Sequence, residues 1–79
     1  MERLVLTEET DFLLTMTDCL RAGHCVPGVR AWFASRELSI RAFVREGMSA
    51  KALLETGDGF ARQVVTRAWA RRQAENASG

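Results

Sequence analysis

The hydrophobic residues in the first third of the chain recur at the spacing of a helix. Four of them fall at positions i, i+4, i+7 and i+8, which form one stripe of an amphipathic helix: Phe12, Met16, Cys19 and Leu20. Thr7 is of a type favoured at an N-cap, and Gly23 can adopt the left-handed conformation that ends a helix. The pattern therefore predicts a first helix over residues 8–22.

A second helical stripe follows a predicted turn at residues 23–28. It contains three apolar residues at i, i+3 and i+4: Val29, Trp32 and Phe33. Pro27 restricts Val26 to an extended conformation and is accepted in the first turn of a helix, where an N–H has no intrahelical acceptor. We expect this helix to end near Arg36.

Two short units of similar design come next, ten residues apart. Each has an apolar residue, a serine and a second apolar residue four positions after the serine: Leu38, Ser39 and Phe43, then Met48, Ser49 and Leu53. This arrangement is typical of a serine N-cap with a hydrophobic staple. Gly47 and Gly57 can end the two helices, which we expect over residues 40–46 and 50–56.

The last apolar stripe is broad and begins after Asp58, which can cap a helix. Its members lie at i, i+4, i+5, i+8 and i+9: Phe60, Val64, Val65, Ala68 and Trp69. We expect this helix to run to about Gln73 and residues 74–79 to form a flexible tail.

These stripes predict an all-α fold, a compact bundle of about five helices, two long and three short, with no significant sheet. Leu4–Leu6 is the one segment that could pair as a strand, and then only with something external. We expect a single helical domain over residues 1–79, in which residues 1–6 form an N-terminal arm.

Composition places the chain among globular proteins. Hydrophobic residues make up 47% and charged residues 27% of the 79 positions, unlike disordered, collagen-like or membrane chains. The apolar runs are far shorter than the roughly 18–20 residues of a membrane-spanning helix. Because no export signal is evident, we expect Cys19 and Cys25 to be reduced thiols in a cytosol.

Charge is divided unevenly along a chain whose net charge is only +1. Residues 1–20 carry one arginine against five acids, a net charge of −4, whereas residues 59–79 carry four arginines against one glutamate, a net charge of +3. The acidic front and the basic rear could attract each other within one molecule or between neighbouring copies, so a homo-oligomer stays open.

Catalytic and metal-binding patterns are weak. Cys19, His24 and Cys25 supply three potential zinc ligands, but a structural zinc site uses four, and Cys19 falls on an apolar stripe. Adjacent His24 and Cys25 seldom point at one another, and the chain has one histidine. Asp58 lies between two glycines but lacks the spacing and the lysine of a P-loop. We therefore expect no cofactor, no metal and no enzymatic activity.

Nucleic-acid binding is the alternative, because short helices joined by a glycine turn are typical of a helix-turn-helix module. With Gly47 in the turn, residues 50–56 would be the recognition helix, which exposes chiefly Lys51 and Glu55. One basic and one acidic side chain are a poor set for reading bases. The arginines of the last helix could contact phosphates, but a near-neutral chain attracts nucleic acid weakly.

Protein binding is the function that the residues favour. Tryptophan and arginine dominate binding hot spots, and five such residues gather on the last predicted helix: Arg62, Arg67, Trp69, Arg71 and Arg72. We interpret this set as the partner-binding surface, with the acidic first helix as a second candidate. The alternative is that Trp69 simply closes the core.

Residues 25–65 also resemble a family. The recurring features are Cys25, Gly28, Arg30, Trp32, Phe33, Phe43, Gly47, Leu53, Thr56-Gly57-Asp58 and Val64-Val65. This order resembles that of short, mostly uncharacterised helical proteins of tailed bacteriophages and prophages, commonly encoded among virion assembly genes. Those proteins usually carry a histidine and a glycine where this chain has Arg36 and Glu37.

The resemblance implies a phage-encoded protein that acts in tail or head assembly, or that is a minor component of the particle, and it supplies no catalytic residues. We therefore expect a phage structural or host protein as partner, and a location in the host cytoplasm or the virion. The alternative function is a small phage regulator that binds nucleic acid or a host factor, including anti-defence proteins.

Overall fold

The computed structural model describes residues 4–78. Within that range the chain forms five helices and one pair of very short strands. In chain order these are β1 Leu13–Leu14, α1 Met16–Arg21, α2 Val26–Ser35, α3 Ile40–Glu46, β2 Met48–Ser49, α4 Ala50–Leu54 and α5 Gly59–Ser78. Met1–Arg3 of the expected arm and Gly79 of the expected tail lie outside the described residues.

The first predicted helix is wrong over its first half. Instead of capping a helix, Thr7 forms a turn in which its N–H donates to Thr10 Oγ1 at 2.8 Å. The helix begins only at Met16, where Thr15 and Asp18 form a capping box: Thr15 N–H donates to Asp18 Oδ2 at 2.9 Å. This later cap satisfies two backbone N–H groups at once, and it sets the start of α1.

Between that turn and α1, the chain pairs as a strand. Leu13 lies opposite Ser49 and Leu14 opposite Met48 in a two-stranded antiparallel sheet. The expectation of no significant sheet therefore needs correction, although the fold is mostly helical. Leu14 is buried in the core through this pairing, whereas Leu13 is exposed. The segment Leu4–Leu6 forms no strand within the described residues.

The capping signals after the first helix are confirmed. Pro27 lies in the first turn of α2. Ser39 and Ser49 cap α3 and α4, each accepting a backbone N–H three residues on at 3.1 Å. Asp58 caps α5, because its Oδ2 accepts the N–H of Phe60 at 2.8 Å. Three boundaries differ from expectation. The helix α2 begins at Val26, inside the turn predicted over residues 23–28, because the extended residue before it is Cys25. The helix α4 stops at Leu54, and α5 continues to Ser78, so the tail expected after Gln73 is helical up to that residue.

A single core joins these elements, with α5 packed against α1 and α4, and α2 against α3. Its largest fully buried side chains come from five different elements: Leu14, Cys19, Val29, Phe33, Leu53, Val64 and Val65. Phe33 and Phe43 stack with ring centroids 4.6 Å apart, which fixes α3 against α2. No helix among residues 4–78 has the length and hydrophobicity needed to cross a membrane.

Candidate binding surface

Two arginines of the expected partner-binding set contact the N-terminal half of their own chain. Arg71 donates to Asp18 Oδ1, and Arg72 Nη2 lies 3.8 Å from Asp18 Oδ2. Arg72 also donates to the carbonyl oxygen of Leu13 at 3.2 Å, with its guanidinium 4.5 Å from the ring centre of Phe12. The acidic front and the basic rear of the sequence therefore meet within one molecule.

The other members of that set have mixed surroundings. Arg67 donates to the carbonyl oxygen of Ala22 at 2.9 Å and so binds the end of α1. Trp69 is half-buried against the core, with its ring 6.1 Å from that of Phe12. The side chain of Arg62 makes no hydrogen bond or ion pair within residues 4–78, and it lines a shallow pocket of about 190 Å³ beside the N-terminal segment. Partner binding by these five residues stays a prediction.

The three candidate zinc ligands do not form a site. Cys19 is buried in α1, and burial together with the negative charge of Asp18 raises the pKa of its thiol to about 11. His24 Nε2 is 2.9 Å from Gln63 Oε1, and its ring packs edge-on against Phe60. Cys25 is exposed and free. Across residues 4–78 no group of three or more potential ligands is placed to hold a metal ion.

This difference between the two cysteines predicts selective labelling. An alkylating reagent near neutral pH should modify Cys25 in the folded protein and leave Cys19 unmodified, because a thiol reacts as its thiolate. Intact mass spectrometry should show one adduct in buffer and two in denaturant. The Cys25→Ser variant should take up no label while folded, and fast labelling of that variant would contradict the burial of Cys19.

Asp58 connects the start of α5 to α2. Its Oδ2 accepts the indole N–H of Trp32 at 2.9 Å, and its Oδ1 accepts a guanidinium N–H of Arg36 at 2.5 Å. The hydrogen bond from Trp32, together with those from the backbone of α5 and from Arg36, lowers the pKa of Asp58 against the opposing effect of burial. The sequence indicated that Asp58 caps α5 but not that it accepts the Trp32 N–H. Both contacts hold α5 in place rather than form a binding site.

Within residues 4–78, a basic surface with almost no internal partner lies on α2 and α3. Five residues line an open depression of about 420 Å³, and we call this set the arginine face: Arg30, Ile40, Arg41, Val44 and Arg45. Phe43 points into the core from the opposite side of α3, so the helical repeat turns Val44 outward, where it is 60% exposed. Three cations therefore surround an exposed apolar side chain.

The arginine face holds positive charge that the fold leaves unmatched. The side chains of Arg30 and Arg41 make no hydrogen bond or ion pair with any described residue, and that of Arg45 has only a long 3.6 Å contact with the exposed Glu46. Arg41 and Arg45 lie four positions apart on one short helix, where like charges destabilise the helix by a few tenths of a kcal/mol. An acidic partner would relieve that repulsion.

Sequence reasoning missed the arginine face because it used α3 only for its cap and its core residue. The available signal was the spacing of Arg41, Val44 and Arg45 on the side of α3 away from Phe43. Chemically, the face offers guanidinium groups and apolar contact, which suit binding of an acidic surface. In comparisons with protein-family models, curated proteins and solved structures, nothing matches this chain.

Proposed function

We propose that the chain is a non-enzymatic protein-binding module, which recognises an acidic partner surface through the arginine face and acts in phage particle assembly. The observation that carries the binding proposal is the pairing of unmatched arginines with the exposed Val44. Arginine presents planar, multiple donors to carboxylates, and an exposed apolar side chain between such groups gains by leaving water.

The assembly role rests on the resemblance of residues 25–65 to short phage proteins. One backbone feature is consistent with it. Glu37 adopts a φ of 57°, the left-handed conformation that glycine takes without strain and that other residues take at a cost. This is the position at which the phage proteins usually carry glycine.

A protein partner fits the arginine face better than a nucleic acid. A phosphate backbone would bind the arginines, but the exposed Val44 would add no affinity for it. Proteins that bind single-stranded nucleic acid stack the bases on exposed aromatic side chains. Both tryptophans are half-buried, and Trp32 uses its N–H on Asp58. A net charge of +1 adds little long-range attraction for a polyanion.

Photo-crosslinking from the arginine face tests the proposal. A photoreactive amino acid in place of Val44 should crosslink the chain to a specific protein in cells that express it at its native level. Charge reversal by Arg41→Glu should abolish that crosslink, because it places a carboxylate opposite the acidic partner.

The matched control is Arg21→Glu, which makes the same change in net charge at an exposed arginine of α1, outside the arginine face. It should leave the crosslink intact, and circular dichroism should show both variants folded. Crosslinking to nucleic acid alone, or equal loss in both variants, would contradict the proposal.

A further inference from the structure

The chain also presents an acidic surface without an internal partner. Glu8 and Glu9 lie on the exposed turn after the N-terminal segment, and neither makes a hydrogen bond or ion pair with a residue in 4–78. Val5, close by in sequence, is 75% exposed. We call these three residues the acidic turn. Lys51 is charged and near Glu8, but its ammonium donates to Glu55 at 2.8 Å.

The acidic turn is held in a fixed shape. Thr10 N–H donates to the carbonyl oxygen of Thr7 at 3.2 Å, in addition to the bond from Thr7 N–H to Thr10 Oγ1. The next residue, Asp11, accepts the backbone N–H of Lys51 at 2.8 Å and the hydroxyl of Ser49 at 2.6 Å. These bonds tie the turn to α4, so binding through it would cost little ordering entropy.

The acidic turn and the arginine face complement each other in kind. One presents two carboxylates and an exposed valine, and the other presents three guanidinium groups around an exposed valine. The turn is tied to α4 and the arginine face is formed by α2 and α3, and no ion pair joins them within one molecule. Apart from the 3.6 Å contact of Arg45 with Glu46 and the attraction between Lys51 and Glu8, the charge on each surface is left for another molecule to neutralise.

We infer that the partner of the arginine face is the acidic turn of a second copy of this chain. This inference rests on the proposed function and identifies its partner. The two surfaces share no residue, so the contact is head-to-tail, and an open assembly keeps one free surface of each kind, at its two ends, for the next copy. Head-to-tail contacts close into a ring where the rotation permits and otherwise grow into a filament.

The wild-type chain tests the inference first. In sedimentation velocity at about 50 mM salt, the mass should rise above the 8.8 kDa monomer as concentration increases from about 10 μM to 1 mM. It should fall back toward the monomer at about 500 mM salt, because the contacts are between charges near solvent. A monomer throughout the low-salt series would overturn the inference.

Charge-reversed variants then identify the two surfaces. Arg41→Glu with Arg45→Glu gives a chain with two acidic surfaces, and Glu8→Arg with Glu9→Arg gives a chain with two basic ones. Each should associate with itself at least about tenfold more weakly than wild type, whereas an equimolar mixture should recover association. Circular dichroism establishes that both variants are folded.

The variant with all four reversals is the sharpest control, because its net charge of +1 equals that of the wild type. It should associate with itself, since both surfaces are exchanged, but it should not join wild-type assemblies, since every mixed contact pairs like charges. Failure of the equimolar mixture to recover association, or free mixing of the fourfold variant with wild type, would overturn the head-to-tail contact.

These outcomes are separable from those of the proposed function. If the Val44 crosslink captures only a different protein and the wild-type chain is monomeric, the inference is contradicted, but the proposed protein-binding function is supported. A crosslink between two copies, lost in Arg41→Glu, would support both.

Discussion

The Asp18→Ala variant is expected to lose about 3 kcal/mol of unfolding free energy, a large part of what a domain of this size has. Asp18 is 3% exposed, so its carboxylate has almost no access to water. It is compensated by Arg71, by the backbone N–H of Thr15 and by the nearby guanidinium of Arg72. Removing it breaks the capping box of α1 and leaves Arg71 without its buried partner.

Breaking a buried ion pair costs about 3–5 kcal/mol, and we expect a loss at the low end because water can partly solvate Arg71. The side chain of Arg71 is 28% exposed, and Arg72 is more exposed still. Urea denaturation followed by circular dichroism measures the change. Asp18→Asn should fall between wild type and Asp18→Ala, since the amide oxygen can still accept the Thr15 N–H while the charge is gone.

Glu46→Ala provides the surface control for Asp18→Ala. Glu46 is exposed and has only a long contact with Arg45, so its removal should change the unfolding free energy by less than about 0.5 kcal/mol. A double variant with Arg71→Ala should lose less than the sum of the two single losses. Additive losses would mean that Asp18 and Arg71 do not stabilise each other.

The helix caps could be predicted from sequence because their causes are local. Ser39, Ser49 and Asp58 each bond to a backbone N–H two or three residues away, so a short window contains the whole interaction. The start of α1 could not be predicted in this way, because Phe12 and Met16 are four positions apart, which is also the spacing of a helix. What keeps Asp11 out of a helix is a set of bonds to residues about 40 positions later.

The difference between local and long-range interactions also explains what could be predicted for the basic last helix. The sequence shows that arginines cluster in α5, but not that Arg71 reaches a carboxylate 53 positions earlier. Nothing local marks Asp18 as buried, since a helix start is an ordinary place for an exposed acid. On the short α3, Arg41 and Arg45 are compatible with plain solvation, and only the fold shows that, among residues 4–78, no acid other than Glu46 pairs with them.

Gly47→Ala is the second variant with a large expected effect, because two independent costs meet at that position. Gly47 adopts φ 76° and ψ −176°, a region that is essentially restricted to glycine and costs other residues about 1–3 kcal/mol. A Cβ there would also lie 2.7 Å from Leu13 Cγ and 2.9 Å from the carbonyl oxygen of Leu14. The carbonyl belongs to β1, so it cannot retreat without disturbing the strand pair.

Gly57→Ala has the backbone cost without the steric clash, so the difference between the two variants measures the clash. Gly57 has a similar φ of 73°, but a Cβ there would meet no atom within 4 Å, so this variant should lose only the backbone contribution, about 1 kcal/mol. Gly47→Ala should lose about 3 kcal/mol or more in the same urea denaturation experiment. Because Gly47 ends α3, which carries most of the arginine face, that variant should also weaken binding at Val44. Equal losses in the two variants would show that β1 does not pack closely on Gly47.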